Sequence, residues 1–214
     1  MKKKMLLLTL LLFPIFMFGC SAKIDLMEHM SEITKIYFYG ENELFSSSIS
    51  VGEREKDYII DGKSGENTDF SLINLKFSSS LDKDQIDVQV IVNGTAEDIV
   101  LYFNPISSVY MNDLGYALNE SDKVEISYGT SIIELKVENF EISFEEALSL
   151  AKETLKTEIN QNIHNGELGG ECYLKVLTSN QSEKEKFWLF TLVNLKDEQF
   201  NILINVKTGQ IIRA

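Results

Sequence analysis

Apolar and polar positions alternate through much of the chain after residue 32, which is the pattern of half-buried β-strands. The clearest run is residues 85–92, in which every second residue from Ile86 is Ile or Val. Asn93-Gly94 follows, a pair typical of tight hairpin turns, and residues 98–103 can supply the returning strand. The sequence therefore predicts a β-hairpin centred on Asn93-Gly94.

Six further short strands are predicted between residues 33 and 137: residues 33–39, 49–51, 57–60, 70–77, 123–128 and 132–137. Residues 106–122 are predicted as a loop with at most one helical turn, near residues 113–118. Many short strands separated by turn residues are typical of a β-sandwich or an open barrel.

The spacing of apolar residues changes at Ser143, from two-residue alternation to the period of a helix. This residue fits a helix N-cap, and Glu146, three residues later, completes a capping box. Apolar residues then recur at helical spacing from Phe144 to about Ile159, which predicts an amphipathic helix. Three strands follow, at residues 171–178, 186–195 and 199–206, with the last continuing past Thr208-Gly209 to Ile212. The predicted fold class is α+β: an N-terminal all-β sandwich or open barrel, then a small helix-plus-antiparallel-sheet domain.

The first nineteen residues have the pattern of an export signal. Three lysines, Lys2 to Lys4, precede fourteen mostly apolar residues, 5–18. As a helix these span about 21 Å, which is short of the roughly 30 Å hydrocarbon core of a bilayer. The bulky Met17 and Phe18 do not fit the small residues of an ordinary secretory cleavage site.

Gly19-Cys20 at the end of this segment resembles the lipobox of bacterial lipoproteins. The resemblance implies a diacylglyceryl group on the Cys20 sulfur and cleavage just before that residue. The sequence departs from the usual motif at Met17, where Leu is common, and at Phe18, where a small residue is common. The alternatives are an uncleaved N-terminal anchor with an incidental cysteine, or a Cys20–Cys172 disulfide if Cys20 escapes lipidation.

The last seventy residues resemble a PepSY-type domain, which has a capped helix followed by a small antiparallel sheet. The residues that match this pattern are Ser143, Glu146, Ala147, Ala151, Trp188, Phe190, Thr208 and Gly209. Asn205 stands where the family usually has Asp. The resemblance implies an extracytoplasmic, noncatalytic module that binds or inhibits a protein. The residues by themselves favour packing and turn roles, with Trp188 and Phe190 in the core.

The predicted organisation has four parts: a lipoprotein signal peptide at 1–19, a tether at 20–32, a β-rich domain at 33–139 and a PepSY-like α+β domain at 140–214.

Charge argues against one class of partner. Three of the 20 basic residues lie in the leader, so residues 20–214 carry 17 basic and 33 acidic residues. Such a surface repels phosphate groups, and we expect no binding to nucleic acid.

Few residues are suited to catalysis or metal binding. The two histidines, His29 and His164, are far apart in the chain, and Cys172 is predicted to be a buried structural residue. Asp82, Asp84 and Asp87 lack the Gly and Glu of an EF-hand loop and are predicted to be solvated. The sequence predicts no catalytic, cofactor-binding or metal-ligating residue and no cofactor, and Cys20 is the one candidate site, for lipid attachment.

The leading hypothesis is a lipoprotein on the extracytoplasmic face of a membrane, held by a lipid on Cys20, that binds or regulates another cell-envelope protein without catalysis. The alternative is a surface hydrolase with an acidic site in the β-rich domain. A solute-binding transport lipoprotein is disfavoured, because its usual two-lobed architecture needs a longer chain with alternating helices.

Overall fold

The structure, a computed structural model, describes residues 24–56, 65–179 and 185–213. Cys20 and the strand predicted at residues 57–60 lie outside these ranges. Within them, no helix combines the length and the apolar character needed to cross a bilayer.

Eight antiparallel strands form the first half of the fold. They are β1 (Met30–Glu41), β2 (Phe45–Glu55), β3 (Asn67–Phe77), β4 (Gln85–Val92), β5 (Thr95–Asn104), β6 (Val109–Asp113), β7 (Val124–Tyr128) and β8 (Ser131–Val137). Their order around the sheet is β1-β2-β3-β6-β5-β4-β7-β8, and β8 pairs back with β1. The sheet is therefore a closed barrel.

The prediction of a sandwich or an open barrel is corrected by this closure. Two residue pairs, Phe38–Val137 and Tyr39–Lys136, join the last strand to the first. The interior is filled by side chains, with Phe38, Ile73 and Val90 fully buried. Eight strands enclose just enough room for such a core.

Asn93 and Gly94 form the predicted hairpin turn between β4 and β5, and both have positive φ. Strand β6, however, lies in the stretch predicted as a loop, and no helical turn occurs at residues 113–118. It is short and only Tyr110 within it is buried, so alternation is weak. The strand forms because it lies between β3 and β5 and pairs with both.

The second half of the fold is a helical segment packed on a four-stranded sheet. Helix α1 (Phe144–Thr154) carries the predicted capping box between Ser143 and Glu146. The helical conformation changes at Leu155, where ψ is 23°, and α2 (Lys156–Gln161) follows. The sequence predicts one continuous helix here, so this break is a correction.

The remaining strands are β9 (Ile163–His164), β10 (Glu167–Leu168), β11 (Gly170–Thr178), β12 (Lys186–Asn194), β13 (Gln199–Asn205) and β14 (Ile211–Arg213). Strands β11 to β14 are antiparallel neighbours. Trp188 and Phe190 are buried between this sheet and the helices, together with Ala147 and Ala151, as predicted.

Strand β1 belongs to both halves. Its first residues pair in parallel with β11, Met30 with Cys172 and Ile33 with Leu174, whereas its later residues close the barrel. Residues 20–32, predicted as a tether, are described from residue 24, and Ile24 and Leu26 are buried in the core beneath the helices. We call this core, which also contains Trp188 and Phe190, the helix-side core. It combines residues that precede β1 with residues of the C-terminal sheet.

Candidate functional site

A cleft of about 310 Å³ lies where β1 leaves β11 and approaches β8. The β1–β2 register shifts between Thr34 and Ile36, at the point where β1 changes its partner. We call this cavity the fork cleft. The residues that line it are Tyr39, Glu41, Glu138, Asn139, Phe140, Lys186, Val206 and Lys207.

The fork cleft contains a buried ammonium group. Lys186, the first residue of β12, is only 6% exposed, and its Nζ lies 3.2 Å from a carboxylate oxygen of Glu138. The same Nζ lies 4.3 Å from the ring centroid of Tyr39 and 6.0 Å from that of Tyr37. Aromatic faces stabilise a cation at such distances. One carboxylate and two rings therefore offset the cost of burying this charge.

A second carboxylate, that of Glu41 on β1, also lines the cleft. The Tyr39 hydroxyl donates a hydrogen bond of 2.5 Å to Glu41 Oε2. Both residues point outward from the barrel, since they alternate with the fully buried Phe38. Tyr39 thus contacts one charge of each sign, Lys186 through its ring and Glu41 through its hydroxyl.

Phe140, which lines the cleft, packs against Trp188 of the helix-side core. The ring of Phe140 lies 5.3 Å from that of Trp188, edge to face at 90°. The Trp188 indole N–H donates to the carbonyl oxygen of Ile142 at 2.8 Å. Since Trp188 is the single tryptophan of the chain, it can report changes at Phe140.

Lys207 lies on an exposed turn at the rim. The Asn205 side chain accepts backbone hydrogen bonds from Lys207 at 3.0 Å and Thr208 at 3.1 Å, and Gly209 has φ of 68°. Asn205 therefore performs the turn-forming role that an Asp can perform at this position. Among the described residues, no carboxylate forms an ion pair with Lys207.

A second polar cluster joins β1 to β11 and β2. Glu32 lies 2.9 Å from Lys175 Nζ, and Glu55 accepts from the Ser31 hydroxyl at 3.0 Å. Glu171, fully buried, accepts from the Tyr173 hydroxyl. These buried carboxylates all have partners, so the cluster stabilises the junction between the two halves.

The residues considered as chemistry candidates in the sequence do not lie in the fork cleft. Cys172 is fully buried in the helix-side core, and this burial, with the nearby charge of Glu171, raises the pKa of its thiol to about 12. Asp82, Asp84 and Asp87 are exposed on the barrel. In the described part of the chain, no three His, Cys, Asp or Glu side chains are placed to hold a metal ion.

The sequence did not predict the fork cleft. Its residues come from β1, the 138–140 connection, β12 and the turn after β13. The parallel β1–β11 pairing and the β1–β8 pairing together bring them to one place. The one local signal was Lys186 at the start of an apolar strand, where a charge is unusual unless it has a partner.

Comparison with protein-family models, with curated proteins and with solved structures gives no match for this chain. The resemblances to the lipobox and to a PepSY-type domain therefore remain predictions.

Proposed function

We propose that this chain is an exported lipoprotein, anchored to the extracytoplasmic face of a bacterial membrane through Cys20, and that its folded part binds another protein of the cell envelope. The observation that carries the proposal is the leader: three lysines, an apolar segment and then Gly19-Cys20. The fork cleft supports the binding role, since a concave surface with a few placed polar groups is a common form of binding site.

The burial of Ile24 limits how far the folded part can lie from a lipid on Cys20. Ile24 is buried under the helices, and only four peptide units separate it from Cys20. Four extended residues span at most about 14 Å. A lipid on Cys20 would therefore hold the helical half of the fold near the bilayer.

Strand β1 runs from the helical half of the fold into the barrel. Its twelve residues extend about 40 Å from Met30 to Glu41. The end of β1, with Tyr39 and Glu41 of the fork cleft, is therefore the part of this strand farthest from Cys20. A partner could reach this cleft at its exposed rim, where Glu41 and Asn139 lie.

Anchoring is tested by metabolic labelling with a tagged fatty acid in bacterial cells. Cys20→Ala should lose the label and either leave the membrane fraction or accumulate as precursor. Cys172→Ala, which keeps Cys20, is the matched control and should stay labelled. Equal label on wild type and Cys20→Ala would reject the anchoring part of the proposal.

Binding is tested separately in the same cells. A photo-crosslinking residue at Asn139, on the exposed rim of the cleft, should yield one discrete crosslinked envelope protein. The same residue at Thr95, exposed on the β4–β5 hairpin, should not. Identical products from both positions, or none from Asn139, would count against a partner at the cleft.

A further inference from the structure

The charges of the fork cleft limit the ligands that it can accept. Two carboxylates, Glu41 and Glu138, and two ammonium groups, Lys186 and Lys207, line one space of about 310 Å³. Their formal charges cancel, whereas the whole chain carries a net charge of -13. The cleft is therefore a locally neutral site on an acidic surface.

A ligand of a single charge sign meets repulsion there. A simple anion would approach Glu41 and Glu138 and would also be repelled by the net negative charge of the chain. A simple cation would approach Lys186 and Lys207. A ligand that carries both signs can place its cation near the carboxylates and its anion near the ammonium groups.

The ammonium groups of the cleft can still donate hydrogen bonds to such a ligand. Lys186 has three N–H donors, and one carboxylate oxygen, of Glu138, lies within hydrogen-bonding distance. Lys207 has no ion pair within the described ranges and stands at the exposed rim. Phe140 and Val206 supply apolar surface between these polar groups.

We propose that the fork cleft binds a zwitterion of amino-acid chemistry, either a free α-amino acid or a short peptide with both ends unblocked. Lys207 and Lys186 attract its carboxylate, and Glu41 and Glu138 attract its ammonium group. The volume is at the lower end of the range for small-molecule sites, which favours a ligand of a few residues. This site requires neither the lipid on Cys20 nor an envelope partner.

The test uses purified residues 21–214 and the fluorescence of Trp188, which contacts Phe140 edge to face. The probes are trialanine with free ends, the same peptide acetylated at its N-terminus, the same peptide amidated at its C-terminus, and free L-alanine. We expect a saturable change with the unblocked peptide and at least about tenfold weaker binding of each blocked form. Equal binding of the free and blocked peptides would overturn the proposal, as would the absence of a saturable change at millimolar concentration.

Free L-alanine distinguishes the two sources of the ligand. Binding as tight as that of trialanine indicates an amino-acid site, and much weaker binding indicates a peptide site. Both outcomes support a zwitterion site, because both depend on the two charged ends.

Variants locate the binding in the cleft. Lys207→Gln and Glu41→Gln change exposed side chains, so the fold should persist, and each should weaken trialanine binding about fivefold or more. Lys196→Gln and Glu43→Gln, exposed outside the cleft, are the matched controls and should bind like the wild type. If the control variants lose as much affinity as the cleft variants, the effect is one of overall charge and the proposal fails.

Discussion

Gly52 in β2 lies so close to β1 that a Cβ atom on it would stand 1.8 Å from the carbonyl oxygen of Ile33. The two strands pair here, Gly52 with Thr34, just before the register shift at which β1 turns from β11 towards β8. The junction of the two halves thus requires a residue without a side chain. Other contacts of that Cβ would also be with backbone atoms of β1, which cannot rotate away.

We therefore expect Gly52→Ala to destabilise the whole fold. The cost should be on the order of 3 kcal/mol, at the upper end for an inserted methyl group, because the neighbouring atoms are backbone. Gly65→Ala is the control, since its Cβ would meet only the Glu55 carboxyl group, at 3.9 Å. Urea unfolding followed by circular dichroism measures both. Equal stabilities of the two variants would show that β1 and β2 can separate at this point at little cost.

Trp188 provides a second test, of the helix-side core. Trp188→Ala should cost roughly 3–5 kcal/mol, because it removes the largest buried ring of this core. Trp188→Phe keeps an aromatic ring against Phe140 but leaves the carbonyl of Ile142 without its indole donor, and should cost about 1–3 kcal/mol. Thermal unfolding of residues 21–214 ranks the stabilities of the wild type and the two variants. A Phe variant as unstable as the Ala variant would mean that the hydrogen bond, rather than ring packing, dominates.

Asp122 connects two neighbouring turns of the barrel. Its carboxylate accepts from the backbone N–H of Asn119 at 2.7 Å and from the side chain of Asn93 at 2.8 Å. These hydrogen bonds, the Asn119 backbone bond first, lower the pKa of Asp122 below the usual range of an aspartate. Asn93 is the first residue of the β4–β5 turn, so the charge helps to hold that hairpin against residues 119–123.

Because the pKa is lower in the folded chain, the unfolded chain binds more protons in the acidic range, and stability falls as pH falls. The stabilisation by Asp122 should be complete above the unfolded pKa, at about pH 4, and should be lost as pH falls through the folded value. Asp122→Asn should be less stable than the wild type at neutral pH, and this gap should close in acid. Urea midpoints across the acidic range measure the gap, with Asp87→Asn in β4 as the control for loss of one carboxylate. A stability difference between wild type and Asp122→Asn that stays constant with pH would contradict the lowered pKa of Asp122.

Local sequence signals predicted the elements that depend on local chemistry. Ser143 and Glu146 specify the helix start, and Asn93-Gly94 specifies a hairpin, because each acts on its own backbone. Strand β6 was missed because its own alternation is weak and one of its two partners, β3, is distant in sequence. Barrel closure is also non-local, since it rests on the two pairs that join β1 to β8.

The fork cleft shows the same limit more strongly. No pattern within β1 indicates that its first residues pair with β11 and its later ones with β8. Lys186 and Tyr39 are far apart in the chain and meet only because β1 serves both halves. Cys20 is the opposite case: its predicted role rests entirely on the residues before it, and it lies outside the described ranges.

Cys172 should be chemically inert in the folded protein. It is fully buried between β1 and β12, and burial, the larger effect, together with the charge of Glu171 raises the pKa of its thiol to about 12. The thiolate is the reactive form, so almost none is available near neutral pH.

In residues 21–214 Cys172 is the single cysteine, which makes a thiol-labelling measurement specific. We expect no reaction with a thiol reagent such as dithionitrobenzoate until the protein is unfolded in urea, and then one equivalent of label. Thr95→Cys, at an exposed turn position, is the positive control and should add one equivalent in the native state. Rapid labelling of native Cys172, at a rate proportional to reagent concentration, would show that the β1–β11 junction opens readily and that this core is less tightly closed than its burial indicates.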